Sequence, residues 1–261
     1  MGGGELDGRV IIVFGAGSSG PAMSNGEAAA LAYAHAGAIV AAVDRSAEEA
    51  RRVVKEIHRS GGTGIAVAAD VTRESDVEAA VATVVRELGA PHVLHNNVGS
   101  PQAGAVPDID LDTWNAAVTV NLTSTYLTCR HTLPHMIAAR RGVIINVSSV
   151  AGIRDTGYIY PAYSAAKAGV NQLTVSLALT YAGRGIRANA ILPGLIDTPL
   201  VGAHLASDPE SLAARHARSP TGRMGSPHDV ANVAVFLASD RAAYVNGVCL
   251  PVDGGLSARC A

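Results

Sequence analysis

Val10-Ile11-Ile12-Val13-Phe14-Gly15-Ala16-Gly17-Ser18-Ser19-Gly20 decides how this chain folds. Its apolar run, β-branched up to Phe14, suits a strand covered on both faces, since a half-exposed strand would alternate. The run ends in Gly-x-Gly-x-x-Gly. Positions without side chains allow a tight turn there and let amides at a following helix N-terminus approach an anion such as a pyrophosphate. A chain with 28 glycines produces such matches by chance, so the weight comes from context. A strand precedes, a helix follows, and an acid, Asp44, closes the next strand. Pro21 suits a first helical position, but Asn25-Gly26 would then break the opening turns, and apolar periodicity begins only after Gly26. Gly15, Gly17 and Gly26 are therefore the expected working glycines, with Ser19–Met23 as an additional stretch of loop.

The same strand–helix alternation continues along the chain. Further apolar runs predict strands at Ala38–Val43, Gly64–Ala69, His92–His95, Gly142–Val147, Arg187–Leu192 and Gly247–Pro251. Amphipathic spacing predicts helices over Glu27–Ala36, Ala47–Arg59, Glu74–Leu88, Leu111–Ala139, Ala162–Tyr181 and Pro227–Ala238. Repeated strand–helix–strand units imply an α/β fold: a doubly wound parallel sheet of seven strands with helices on both faces. No linker or repeat interrupts residues 1–261, which read as one domain. The least regular part, about 198–226, carries Gly, Pro and His around a short helix and is placed to cover a ligand.

Composition narrows the function classes. Of the 261 residues 48% are apolar and 16% charged, enough to bury a core and incompatible with a disordered chain. A net charge of −2 leaves no broad footprint for nucleic acid or an anionic membrane. No apolar stretch approaches a spanning length, and Met1–Gly8 carries Glu5 and Asp7 with no apolar run, so neither a membrane segment nor a secretory leader is expected. Cys129, Cys249 and Cys260 are an odd number and far apart, which fits a reduced, cytoplasmic protein. The histidines lack ligand spacing, so no metal is expected. Among 20 basic residues only Lys55 and Lys167 are lysine.

Asp44 follows the second strand, where a carboxylate accepts hydrogen bonds from adenosine ribose hydroxyls and repels a 2′-phosphate, favouring NAD over NADP. Arg45 beside it can meet such a phosphate, so NADP stays open. Tyr163 and Lys167 are one helical turn apart on one face. A free phenol, with a pKa of about 10, is a poor base at neutral pH; a nearby ammonium and a cationic nicotinamide stabilise the phenolate. Tyr163 is thus a candidate general acid/base for a carbonyl or alcohol oxygen. Ser149, ending a neighbouring strand, is placed to hydrogen-bond the same oxygen.

Seven groups occur in order: Asp70-Val71; Asn96-Asn97-Val98-Gly99; Asn121; Ser148-Ser149; Tyr163-Ser164-Ala165-Ala166-Lys167; Asn189 through Pro199, with Pro193-Gly194 at its centre; and Val252-Asp253-Gly254-Gly255. In these the chain resembles the short-chain dehydrogenase/reductase family over essentially its whole length. The resemblance implies a Rossmann-like fold and an oxidoreductase that moves a hydride between NAD(H) and a secondary alcohol or ketone, a small-molecule substrate. It implies Asn121, Ser149, Tyr163 and Lys167 as the catalytic set, with Lys167 also on the nicotinamide ribose and Asn121 supporting a water relay behind it. Gly15, Gly17, Ser24, Asn25 and Gly26 then form the diphosphate loop, with Asp44 and Arg45 at the adenosine ribose and Asp70 and Val71 at the adenine. Asn96, Asn97, Val98 and Gly99 would line the cofactor path, and Pro193, Gly194, Ile196 and Thr198 the nicotinamide end. A homo-oligomer, a tetramer through the two long helices, is implied as well.

Three features depart from the family pattern. Phe14 replaces a Thr, the glycine loop is about five residues longer with Ser24 at the middle-glycine position, and Ser149 and Tyr163 lie 14 apart, one more than usual. An NADPH-dependent 3-oxoacyl thioester reductase is the alternative enzyme, and a non-catalytic nucleotide-binding regulator the alternative class. Ser148 reads as structural, Tyr160 as a pocket wall or core residue and Trp114 as packing. His204, Arg215, His216 and Arg218 read as solvated surface of the lid, and Lys55 as part of a solvated helix face.

Overall fold

The computed structural model describes residues 4–20, 22–198 and 209–259. Seven strands, β1 (Val10–Phe14), β2 (Ile39–Asp44), β3 (Thr63–Ala68), β4 (Val93–Asn96), β5 (Gly142–Val147), β6 (Ile186–Pro193) and β7 (Cys249–Val252), form one sheet. Its order is β3-β2-β1-β4-β5-β6-β7, and every pairing is parallel. The helices are α1 (Asn25–His35), α2 (Ala47–Arg59), α3 (Glu74–Leu88), α4 (Leu111–Val118), α5 (Ser124–Ala139), α6 (Pro161–Tyr181), α7 (Pro209–Arg218) and α8 (Pro227–Ala238).

The opening strand is buried along its whole length, as its unbroken apolar run requires. Ile11 and Val13 point into one core with Tyr33, Ala30 and Leu237. Val10, Ile12 and Phe14 point into the other with Val77, Val84, Leu133 and Met136. Burying each such side chain contributes about 1.5–3 kcal/mol, so a strand with two covered faces anchors both layers. Connections leave β1 towards β2 on one side and pass to β4 on the other, and at that change of direction the strand ends open a crevice.

Several elements differ from the sequence expectation. Helix α1 starts at Asn25, ahead of Gly26, because Ser24 caps it: its Oγ accepts from the Glu27 amide at 3.0 Å and donates to the Gly17 carbonyl at 2.7 Å. Gly26 is no helix breaker here. A Cβ on it would lie 1.9 Å from the Gly15 carbonyl oxygen, so glycine is what lets the helix meet the loop. Gly26→Ala is expected to cost about 1–3 kcal/mol as an overpacking defect, read as a drop in Tm of several degrees; unchanged Tm would show that the loop yields.

The long helix expected over Leu111–Ala139 divides into α4 and α5 through a π-helical turn at Thr119–Thr123. One wide turn barely disturbs apolar periodicity, so the pattern could not show it. The remaining strand ends move by one or two residues, the usual uncertainty of boundaries. Residues 199–208 of the expected lid lie outside the described residues, and α7 and 219–226 form the described remainder.

Candidate active site

The crevice beside β1 and β4 opens into a cleft of about 660 Å³ that runs from the glycine loop to Tyr163, within the range of pockets that bury a small ligand. At the loop end, Asp44 closes β2 with both carboxylate oxygens positioned: Oδ2 accepts from the Gly17 amide at 2.9 Å and Oδ1 from the Ser46 amide at 3.0 Å. Glu49, one turn into α2, accepts from the Ser18 amide at 3.1 Å. The Arg52 guanidinium hydrogen-bonded to it holds its carboxyl below the usual range, while Arg52 also grips Glu27 through two bonds of 2.7 and 2.8 Å. Two carboxylates therefore face this end of the cleft, whereas Arg45, also lining it, is exposed. Glu49 was not anticipated. Its signal, Ser46-x-x-Glu49, reads as a helix cap, and the Ser46 hydroxyl does accept from the Glu49 amide.

Gly15, Gly17, Ser24, Asn25, Asp70, Val71, Asn97, Val98 and Gly99 all line the cleft as expected. The Asp70 carboxyl is held below its usual range by the Thr72 side chain and amide. Asn97 donates to the Gly15 carbonyl at 3.0 Å, tying the end of β4 to the glycine loop. Gly26 lies behind the loop rather than on the cleft wall. Asn96 departs more clearly: its amide turns into the core and donates to Asn146 at 2.9 Å.

At the far end, Pro161 starts α6 and places Tyr163 on its first turn, with Lys167 one turn further and buried. Lys167 Nζ donates to the Val147 carbonyl at 2.9 Å and sits 5.7 Å from the Tyr163 ring centroid. Gly99 makes room for it, since a Cβ there would be 2.9 Å from Nζ and 3.0 Å from Asn121 Oδ1. Burial pulls the Lys167 ammonium down to about 8. Burial pushes the Tyr163 phenol up to about 12, with a hydrogen bond from Ser149 acting the other way. The lowering expected from Lys167 is not seen: withdrawing the phenol from water disfavours the phenolate more than the Ser149 hydrogen bond favours it.

The Ser149 hydroxyl, on the turn after β5, also accepts from the Ala151 amide at 3.1 Å, which orients it. Ser148 turns away and donates to the Lys167 carbonyl at 3.0 Å, the structural part expected of it. Asn121 lies in the π-helical turn, fully buried and off the cleft wall. Its Nδ2 donates to the Ser100 and Ala117 carbonyls, both at 2.9 Å, and its Oδ1 accepts from the Ser100 amide at 3.0 Å. Those bonds tie the segment after β4 to the π-helical turn, and Oδ1 keeps a second lone pair free to accept.

Pro193, Gly194, Ile196 and Thr198 line the same end. Tyr158 stacks on Tyr160, and Tyr160 meets the Tyr163 ring edge-on at 5.2 Å between centroids, so Tyr160 packs behind Tyr163 rather than lining the cleft itself. The two arginines of α7, read as solvated surface, are half-buried and hydrogen-bonded. Arg215 lines the cleft and donates to the Tyr158 hydroxyl, and Arg218 donates to the Thr156 carbonyl. His216 accepts from the Met224 amide at 3.0 Å, and His204 lies outside the described residues. Among the described residues no cluster of three His, Cys, Asp or Glu could hold a metal.

Known proteins are similar to this chain over nearly its whole length. A family model described as enoyl-(acyl carrier protein) reductase matches residues 20–257. The chain is 39% identical to 3β-hydroxysteroid dehydrogenase 1 of Eggerthella lenta, across 97% of this chain and 95% of that one. Among solved structures, one described as a short-chain dehydrogenase/reductase from Burkholderia xenovorans is 40% identical with a TM-score of 0.93, covering 99% of this chain and 100% of that one. A Beutenbergia cavernae structure, described as an NAD(P)-dependent gluconate 5-dehydrogenase with NADP bound at low occupancy, is 37% identical with a TM-score of 0.89. It covers 97% of this chain and 98% of that one.

Proposed function

This chain belongs to the short-chain dehydrogenase/reductase family, and on that premise we propose that it interconverts a secondary alcohol and its ketone using NAD(H). The observation that carries the reading is one cleft with Asp44 and Glu49 at one end and Tyr163, Ser149 and Lys167 at the other. The residues fit a dinucleotide. Side chains are absent at Gly15, Gly17 and Gly99, where a Cβ would strike Val98, Glu49 or Lys167, and the Asp44 carboxylate suits ribose hydroxyls. When bound, the dinucleotide supplies the hydride acceptor or donor and, oxidised, a positive charge beside the phenol.

The chain's own residues supply the proton. Ser149 holds the substrate oxygen, and in reduction Tyr163 gives its phenolic proton to that oxygen. In oxidation the Tyr163 phenolate takes the hydroxyl proton. Lys167, a buried cation anchored on Val147, favours the phenolate and presents its ammonium to the nicotinamide ribose. Asn121 is a positioning residue that acts through Ser100 and Gly99.

NAD rather than NADP is favoured because two carboxylates, not one, would face a 2′-phosphate. NADH is expected to exceed NADPH in kcat/KM by at least about tenfold, with Asp44→Ala narrowing the ratio. A panel of ketones and secondary alcohols assayed with both cofactors tests both readings, and turnover with NADPH alone would reverse the cofactor assignment. Residues 1–261 are read as one domain, in which the described part of the expected lid, α7 and 219–226, brings Arg215 to the substrate end of the cleft. Exposed Leu111, Tyr126 and Leu179 on α4, α5 and α6 support a homo-oligomer, a tetramer in this reading, measurable by light scattering. The free thiols Cys129 and Cys249 support a cytoplasmic location; among the described residues no helix is long and apolar enough to cross a membrane.

A further inference from the structure

Arg215 is the cation of the lid helix α7 that reaches the catalytic end of the cleft, sharing its wall with Tyr163, Ile196 and Thr198. Several other arginines are answered by carboxylates, among them Arg9 by Asp240, Arg52 by Glu27, Arg223 by Asp229 and Arg241 by Glu5. No such ion pair is formed by Arg215 among the described residues. One Nη donates to the Tyr158 hydroxyl, and its buried Nε has no hydrogen-bond partner among the described residues. A buried guanidinium N–H without an acceptor carries a desolvation cost that an incoming acceptor would remove.

The side chain is also held in place. Its guanidinium carbon lies 5.2 Å from the Tyr158 ring centroid, and that of Arg218 lies 5.0 Å from the same centroid. Arg218 is occupied by the Thr156 carbonyl and does not line the cleft. Two guanidinium groups against one ring repel each other, and an anion beside them would offset that repulsion. Tyr158 stacks on Tyr160, which meets the Tyr163 ring edge-on, so this positive site is joined by ring contacts to the reacting centre whose cleft Arg215 also lines.

We propose that Arg215 is a specificity-determining residue that binds an acid group on the substrate, so that the preferred substrate is an anionic ketone or secondary alcohol. The inference rests on the proposed dehydrogenase/reductase activity and names the substrate class it prefers. Guanidinium–carboxylate bonds are charge-assisted and geometrically specific, which suits them to selecting an acid over its neutral analogue.

The test uses the full chain and matched probes: 4-oxopentanoate, 5-oxohexanoate and 4-oxocyclohexanecarboxylate, each against its carboxamide. The best acid is expected to exceed its amide in kcat/KM by about 10- to 100-fold, mainly through KM, and Arg215→Gln should bring that ratio close to one. A merely structural role for Arg215 would depress acid and amide together and leave the ratio standing, which overturns the proposal. So would acids no better than amides in the unaltered protein. Binding is read separately, as the stabilisation of the NADH-loaded protein by cyclohexanecarboxylate against cyclohexanecarboxamide. Selective stabilisation that disappears in Arg215→Gln supports the anion site even if no ketone turns over, an outcome that would instead count against the proposed activity. Equal stabilisation by both compounds overturns the site whatever the activity.

Discussion

Replacing Tyr163 by Phe is expected to lower turnover by about 10²–10⁴-fold in either direction, the range a positioned acid/base contributes. The ring, with its edge contact to Tyr160 and its neighbour Lys167, stays; only the oxygen that exchanges the proton is removed. NADH affinity, measured by fluorescence titration, should therefore hold within a few-fold while kcat falls. Dependence on pH adds a sign. Burial holds the phenol up at about 12, so at neutral pH the protonated form prevails, which serves ketone reduction directly. Alcohol oxidation needs the phenolate, whose fraction rises about tenfold per pH unit below the pKa. Oxidation should thus climb with pH while reduction stays level, until the phenol ionises and reduction declines. Tyr163→Phe should flatten the climb in its residual rate. A variant with near-normal turnover and an unchanged oxidation profile would remove Tyr163 from the mechanism.

Which parts of this site were legible depended on how local their signals are. The β1 run and Asp44 were readable because burial on both faces and a strand-end acid are properties of a few adjacent residues. Tyr163 and Lys167 were readable because a helix converts a spacing of four into a shared face. Gly26 was legible as a necessary glycine but not as a helical residue, since the cap that starts α1 before it depends on Ser24 reaching both Glu27 and Gly17. Asn121 was placed by resemblance, yet the π-helical turn that aims its amide at Ser100 leaves apolar periodicity nearly intact. Arg215 was hidden for a different reason. Its orientation is set by Tyr158, more than fifty residues away in the chain, and only tertiary packing of α7 on the segment before α6 brings the two together. Glu49 lay between these cases: its helix and cap were predictable, but its reach back to Ser18 follows from the longer glycine loop.

Lys167→Arg is expected to be as damaging as Tyr163→Phe, and Lys55→Arg to be silent, although both keep a positive charge. Lys55 is exposed on α2, where such a change stays within about 0.5 kcal/mol. Lys167 ends in a slot closed by the Val147 carbonyl, the Gly99 backbone and Asn121 Oδ1. A guanidinium is broader and planar, so it must displace one of these walls, at about 1–3 kcal/mol for overpacking. It then draws its charge away from the ribose and the phenol. A second readout separates lost geometry from lost titration. Lys167 titrates at about 8 in the folded protein and near 10.4, the ordinary lysine value, when unfolded. Between those values the unfolded chain carries a proton that the folded chain has released, so Lys167 contributes stability that grows with pH across this window, by up to about 3 kcal/mol at its upper end, against the opposite contribution of the Cys129 thiol, which burial holds up at about 12. Arginine does not titrate there, and Lys55→Arg leaves Lys167 in place. From pH 8 towards pH 10 the Tm of Lys55→Arg should therefore gain on that of Lys167→Arg, since the other groups titrate alike in both. If the two Tm values keep a constant difference and both variants keep the activity, the buried ammonium is neither at the reacting centre nor a source of pH-dependent stability.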